Sequence, residues 1–235
     1  MNVRQILQFS CVFIMLLLQS PLRVRGGEST PVEKSDSQID AKSPEQIIRE
    51  RFLLAYQTAQ NSDRKAETAD MLRGLKERES HRLLTGILAD REEQVRLRAC
   101  KTIAATTDPT GYFVKPLMGA LSDTTEKVRI AASEALSSAL IKADAIKALA
   151  FAMMSTVGQL DTKSNTEVVD AYDKALEKLS GQRSPQRGAR AVSSFWIDYW
   201  KKNEEALRAA DKIRLAEVDP VRPEGLPRDS FDKEK

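Results

Sequence analysis

The segment Leu84-Thr-Gly-Ile-Leu88-Ala-Asp90-Arg-Glu-Glu93-Gln-Val95-Arg96-Leu97-Arg-Ala99-Cys-Lys-Thr-Ile103 is followed by a second version of itself. That version reads Leu117-Met-Gly-Ala-Leu121-Ser-Asp123-Thr-Thr-Glu126-Lys-Val128-Arg129-Ile130-Ala-Ala132-Ser-Glu-Ala-Leu136. Eight positions agree at an offset of 33: Leu84, Leu88, Asp90, Glu93, Val95, Arg96, Ala99 and Ile103 return as Leu117, Leu121, Asp123, Glu126, Val128, Arg129, Ala132 and Leu136. A period of this size marks a chain of helix pairs, each burying its apolar face only by stacking on a neighbour. The leucine pairs lie at i, i+4 on a first helix, and the Val, Ala, Ile/Leu series lies on one face of a second. Between them, Asp90 and Asp123 stand three residues before Glu93 and Glu126, a spacing that predicts a capping box on each second helix.

Outward from this pair, the same spacing weakens in both directions. Toward the C-terminus, Ile146, Leu149 and Met153 repeat the first helix, and Val168, Tyr172, Ala175 and Leu176 repeat the second, with Val169 where arginine is expected. The turn between them, Gly158 to Thr166, is longer and polar. Toward the N-terminus, Ser43-Pro44-Glu45-Gln46 predicts a capped helix start, followed by Ile48, Phe52, Leu53 and Tyr56 and by a second helix from about Arg64 with Ala69, Leu72 and Leu75. The expected organisation is a degenerate cap over 44–78, repeats over 79–107, 110–141 and 142–181, and a C-terminal aromatic helix over 190–218. In that helix Trp196 and Trp200, with Phe195 and Tyr199, form two i, i+4 pairs suited to closing the end of the stack.

The flanks carry different signals. Arg4, the apolar run Cys11–Leu18 and the helix-breaking Pro21–Gly26, with Val24 and Gly26 at minus three and minus one, predict a signal peptide over 1–26. An uncleaved membrane anchor is the alternative, although the run is short of the ~20 residues of a spanning helix. Residues 27–43 are too polar to bury a core and are expected to be a disordered linker; residues 219–235, punctuated by Pro220, Pro223 and Pro227, are expected to be a disordered tail. The expected location is therefore the cell envelope or periplasm.

Charge and chemistry narrow the function classes. Removing Arg4, Arg23 and Arg25 from the 37 basic residues leaves 34 against 34 acidic ones. A neutral chain argues against a nucleic-acid partner. Cys100 remains alone after the signal, so no internal disulfide is available, and it reads as a buried spacer beside Ala99. The single histidine, His81, falls at the repeat position of Val114 and Ile146 and reads as a core-edge residue. No nucleotide, metal or nucleophile motif is present, so no catalytic residue, no metal ligand and no cofactor is expected.

The string D-x-x-x-x-V-R-x-x-A after L-x-x-x-L, seen at Asp90–Ala99 and Asp123–Ala132, resembles the HEAT-repeat family. The resemblance covers roughly residues 45–181. It implies an all-α superhelix of antiparallel helix pairs with the second helices on the concave side. It also implies that Asp90, Arg96, Asp123 and Arg129 form a charge ladder between repeats, broken at Val169. The chain's ending, Leu179-Ser-Gly181 to Trp196, Trp200 and Asn203, resembles exported bacterial proteins of this kind. A non-enzymatic scaffold that binds another envelope protein follows; a HEAT-like lyase or ligand-modifying enzyme and a purely structural assembly subunit are the alternatives.

One pair is not required by the repeat. At ~100° per residue, Leu97 and Ile130 lie nearly opposite the buried stripe of their own helices, beside Lys101 and Glu134. Either the inner helices pack more broadly than usual, or this pair forms an apolar strip for a partner peptide or helix.

Overall fold

A computed structural model describes residues 42–218, apart from 77, 107, 109, 159–162, 186 and 187 and the side chains of 163 and 164. The signal-peptide, linker and tail expectations lie outside the described residues. Among the described residues every regular element is helical. They are α1 (Pro44–Thr58), α2 (Ser62–Thr68) with a 3-10 turn (Ala69–Leu72), α3 (Arg78–Ile87), α4 (Glu93–Ala104), α5 (Val114–Ala120), α6 (Glu126–Leu136), α7 (Lys142–Val157), α8 (Lys163–Ser180) and α9 (Gly188–Val218). No described helix is long and apolar enough to cross a membrane.

The pairs stack in two layers. Helices α2, α4, α6 and α8 pack side by side as an inner layer, and α3, α5 and α7 back onto α4, α6 and α8. The repeated residues supply the contact. Val95, Ala99, Val128, Ala132 and Leu136 are fully buried, as are Leu84, Ile146, Leu149, Met153, Val168, Tyr172 and Leu176. Burying one such aliphatic side chain is worth about 1.5–3 kcal/mol. The alanines at the centre of α4 and α6 leave room for the neighbouring backbones.

The start of α1 is as expected: the Ser43 hydroxyl accepts from the Gln46 N–H at 3.2 Å, and the Ser43 N–H donates to the Gln46 side chain at 2.9 Å. The predicted boxes on α4 and α6 do not form. Their N-caps are Glu92 and Thr125, with no side-chain cap, because Asp90 and Asp123 spend their carboxylates two residues on, accepting from the N–H of Glu92 at 2.9 Å and of Thr125 at 2.8 Å. That bond shapes the turn and leaves the other carboxylate oxygen for a different repeat. Helix α2 begins at Ser62, where Asn61 caps it, two residues before the expected start. Helix α8 begins at Lys163, inside the stretch read as a turn.

The inter-pair loops are tight at Gly111, which has φ of +72°. A Cβ there would stand 2.5 Å from Ile141 Cγ1. Gly74 has a similar φ of +75° with open space around it. Gly111→Ala is therefore expected to lose more stability in thermal denaturation than Gly74→Ala, which carries only the left-handed backbone cost of about 1–2 kcal/mol.

The last helix is placed by a returning loop. The Ser184 N–H donates to Glu177 at 3.2 Å and its hydroxyl to Asp173 at 2.8 Å, so the chain runs back along α8 before α9 starts. Helix α9, 31 residues and roughly 46 Å long, then lies antiparallel on the 16 residues of α7. Trp200 meets Phe151 with ring centroids 5.6 Å apart, Arg208 reaches Asp144 at 3.2 Å, and Asp211 reaches the start of α7. The aromatic helix thus packs along α7 and also reaches α8 through Trp196. Trp196 is fully buried, and its indole N–H donates to Asp173 at 2.6 Å.

Candidate functional site

Two sets of polar residues deserve separation: those that join repeats and those left on the inner layer's outer face. The first set is the ladder. Arg96 forks onto Asp123, Nε to Oδ2 at 2.7 Å and an Nη to Oδ1 at 3.0 Å, while its other Nη donates to the carbonyls of Asp90 and Arg91 at 2.9 Å. The Arg96 and Asp123 side chains are 13% and 10% exposed. One rung earlier, Lys65 pairs with Asp90 at 2.7 Å, and Tyr56 donates its hydroxyl to the same carboxylate. One rung later, Arg129 finds the amide oxygen of Asn165 at 3.4 Å, and beyond that Val169 is buried. A parallel contact ties Asp70 to Arg98 at 2.9 Å and to Thr102 at 3.1 Å.

These aspartates titrate below the usual carboxylate range. Burial works to raise Asp123, but the hydrogen bonds from Arg96 and from the Thr125 N–H outweigh it. For Asp90 the donors that outweigh burial are Lys65, Tyr56 and the Glu92 N–H; for Asp70 they are Arg98 and Thr102. A folded-state pKa below the unfolded one gives stability that is present above the unfolded value and is lost as pH falls through the folded one. The melting temperature is therefore expected to hold from neutral pH to about pH 5 and to fall below about pH 4, where the unfolded carboxylates take up protons first.

His81 and Cys100 are turned inward. His81 is 6% exposed, its Nε2 lies 3.1 Å from the Leu75 carbonyl, and its ring packs on Phe113 at 4.7 Å. Cys100 is fully buried, and burial pushes its thiol up to about 12. In a Cys11→Ser chain, Cys100 should stay unlabelled by a thiol reagent at pH 8 and react only at the rate of unfolding. Among the described residues no cluster of His, Cys, Asp and Glu is arranged to hold a metal ion.

The second set lies on the inner layer. Leu97 and Ile130 are half-buried against the core, and each lines a cleft between adjacent inner helices. Leu97 and Lys101 belong to a cleft of about 330 Å³ between α2 and α4, floored by Ala66 and edged by Asp63 and Glu67. Ile130 and Glu134 belong to a cleft of about 360 Å³ between α6 and α8, floored by Ala171 and Ala175 and edged by Glu167, Asp170, Lys174 and Lys178. The pair read as one strip is therefore divided between two clefts, and each residue both packs and presents an apolar edge. The ladder residues Asp90, Arg96, Asp123 and Arg129 join neither cleft, and Val95, Ala99, Val128 and Ala132 lie in the core.

Sequence reading missed the residues of α2 and α8 that complete these clefts. They lie in the two degenerate copies, where the 33-residue offset no longer aligns them. The signal available was composition: an alanine beside two acids in each helix, at Asp63, Ala66 and Glu67 and at Glu167, Asp170 and Ala171.

No curated protein matches the chain. Residues 81–160, which run from within α3 through α7 and include the Arg96–Asp123 rung, match the family model described as HEAT repeats.

Proposed function

We propose that this chain is a non-enzymatic protein-interaction scaffold, exported to the cell envelope, whose inner-helix face takes another envelope protein. The observation that carries the reading is the pair of apolar-floored, charge-edged clefts on that face. HEAT repeats commonly serve as interaction scaffolds, and a stacked layer of short helices offers a stable surface for shape-complementary binding. A catalytic reading finds no support in His81 or Cys100, both withdrawn from solvent.

The test is cross-linking of the full chain to a cell-envelope fraction, with the partner identified and its capture repeated on a Lys101→Glu, Lys174→Glu variant. Both lysines are exposed, so the variant is expected to keep the parent's melting temperature within about 1 °C while capturing the same partner at least fivefold less. Undiminished capture, or none above background with the parent chain, would sink the reading.

A further inference from the structure

The first helix carries an apolar pair on the side turned away from the stack. Helix α1 packs on α2 and on the 3-10 turn, and buried Phe52 with half-buried Tyr56 supplies its inward face. At ~100° per residue, Ile47 and Leu54 lie within about 20° of each other and roughly 140–180° from Phe52 and Tyr56. Leu54 is 65% exposed, the highest value for a large apolar side chain among the described residues, and Ile47 is 39% exposed.

The residues between them set what fits this stripe. Glu50 and Arg51 stand midway between Ile47 and Leu54 in the chain, about 50° to either side of the stripe, and both are exposed. Lys42 already holds Glu50, with both carboxylate oxygens at 2.7 Å, but the Glu50 side chain stays 57% exposed and has lone pairs left to accept another donor. A carboxylate on the flank disfavours an anionic lipid surface. One acid and one base on opposite flanks make the stripe complementary to itself. When two copies of α1 lie side by side and parallel, the two-fold axis runs along the helices and opposite flanks meet, so Glu50 of each copy faces Arg51 of the other. In the antiparallel pairing the axis crosses the helices and like flanks meet, acid on acid and base on base. The parallel pairing also sets Ile47 on Ile47 and Leu54 on Leu54, and residues 1–41 of both copies then enter α1 from the same end.

We propose that α1 is the contact of a homodimer, in which a second copy of this chain lays its own α1 parallel on the Ile47–Leu54 stripe and two Glu50–Arg51 pairs join the copies. A 15-residue helix is about 22 Å long, so one helix pair falls in the interface class below about 1,200 Å². The dimer therefore exchanges with monomer, with a Kd of roughly 10–100 μM. The contact does not draw on the inner-helix clefts, so its failure leaves the scaffold reading standing. A two-headed scaffold would gather two copies of whatever one inner face takes.

The test is sedimentation velocity of the full chain from about 1 to 300 μM, where a monomer–dimer equilibrium should appear. Glu50→Arg and Arg51→Glu should each weaken it at least tenfold, because each sets like charges against one another across the axis. The doubly swapped chain should recover the parent's association, and so should an equimolar mixture of the two single variants. All these positions are exposed, so the variants should melt with the parent. Direction is read by cysteines in a Cys11→Ser chain: Ile47→Cys and Leu54→Cys should each cross-link to itself on mild oxidation, whereas Lys101→Cys, exposed on the inner layer, should not. A chain that stays monomeric throughout overturns the proposal, as does association that the single swaps leave unchanged or the double swap fails to restore. Cross-links that need Ile47→Cys and Leu54→Cys mixed together, or that form equally at Lys101→Cys, overturn it as well.

Discussion

Trp196→Ala should lower the free energy of unfolding by about 4 kcal/mol, the range for emptying a fully buried large aromatic site. The ring is fully buried and meets Phe195 and Tyr199 edge-on at 4.9 and 5.6 Å. Its N–H is also one of the two side-chain donors on Asp173, the other being the Ser184 hydroxyl that holds the returning loop. The loss thus combines a cavity with a weakened anchor for the start of α9. Trp196→Phe separates the two: it keeps much of the apolar contact, loses the donor, and should cost about half as much. Urea denaturation gives both numbers. A loss below about 1 kcal/mol for the alanine variant would mean that α9 is not held through this residue.

The second large effect belongs to the ladder. Arg96→Ala should cost about 3 kcal/mol, since removing one member of a buried pair leaves the other charged and unpaired. Asp123 keeps only local partners, chiefly the Thr125 N–H, and the carbonyls of Asp90 and Arg91 lose their donor. Arg129→Ala is the internal comparison. Its inter-repeat partner is the neutral Asn165, at a longer 3.4 Å, and its loss should be about 1 kcal/mol. The pH dependence distinguishes charge from packing. Arg96 holds the folded Asp123 carboxylate below its ordinary range, so in Arg96→Ala that carboxylate takes up its proton first and the gap to the parent should narrow as pH falls toward 3. A gap that stays constant would assign the effect to lost contacts alone.

The helix pairs were legible because apolar positions at helical spacing answer to one dominant force, burial, and a fixed offset of 33 made them visible twice. Polar roles were less legible, for a reason visible in Asp90. A carboxylate three residues before a glutamate has two local options, capping the helix or bonding two residues on, and sequence spacing alone does not separate them. The choice depends on Lys65 and Tyr56, which arrive from the preceding pair. Lys65 itself escaped notice because it precedes Arg96 by 31 positions rather than 33, and Asn165 because it follows an enlarged turn. The exposed clefts were half legible. Leu97 and Ile130 announced themselves by being apolar where the helix did not need it, whereas Glu167, Asp170 and Lys174 look like any solvated helix face until α6 is laid beside them.

Asp211 bears on how the molecule is made. It is almost fully buried, and its two oxygens accept from the backbone N–H groups of Lys142 at 3.0 Å and Ala143 at 2.7 Å, at the start of a helix whose own N-cap, Ile141, has no side chain able to do so. The donors lie 69 and 68 residues earlier in the chain. As the polypeptide leaves the ribosome, the first two matching pairs can close on themselves, since their ladder contacts span only 25 to 27 residues. The third waits with an unsatisfied first turn until nearly all of α9 has followed it. The last pair is therefore locked only after α9 has been made.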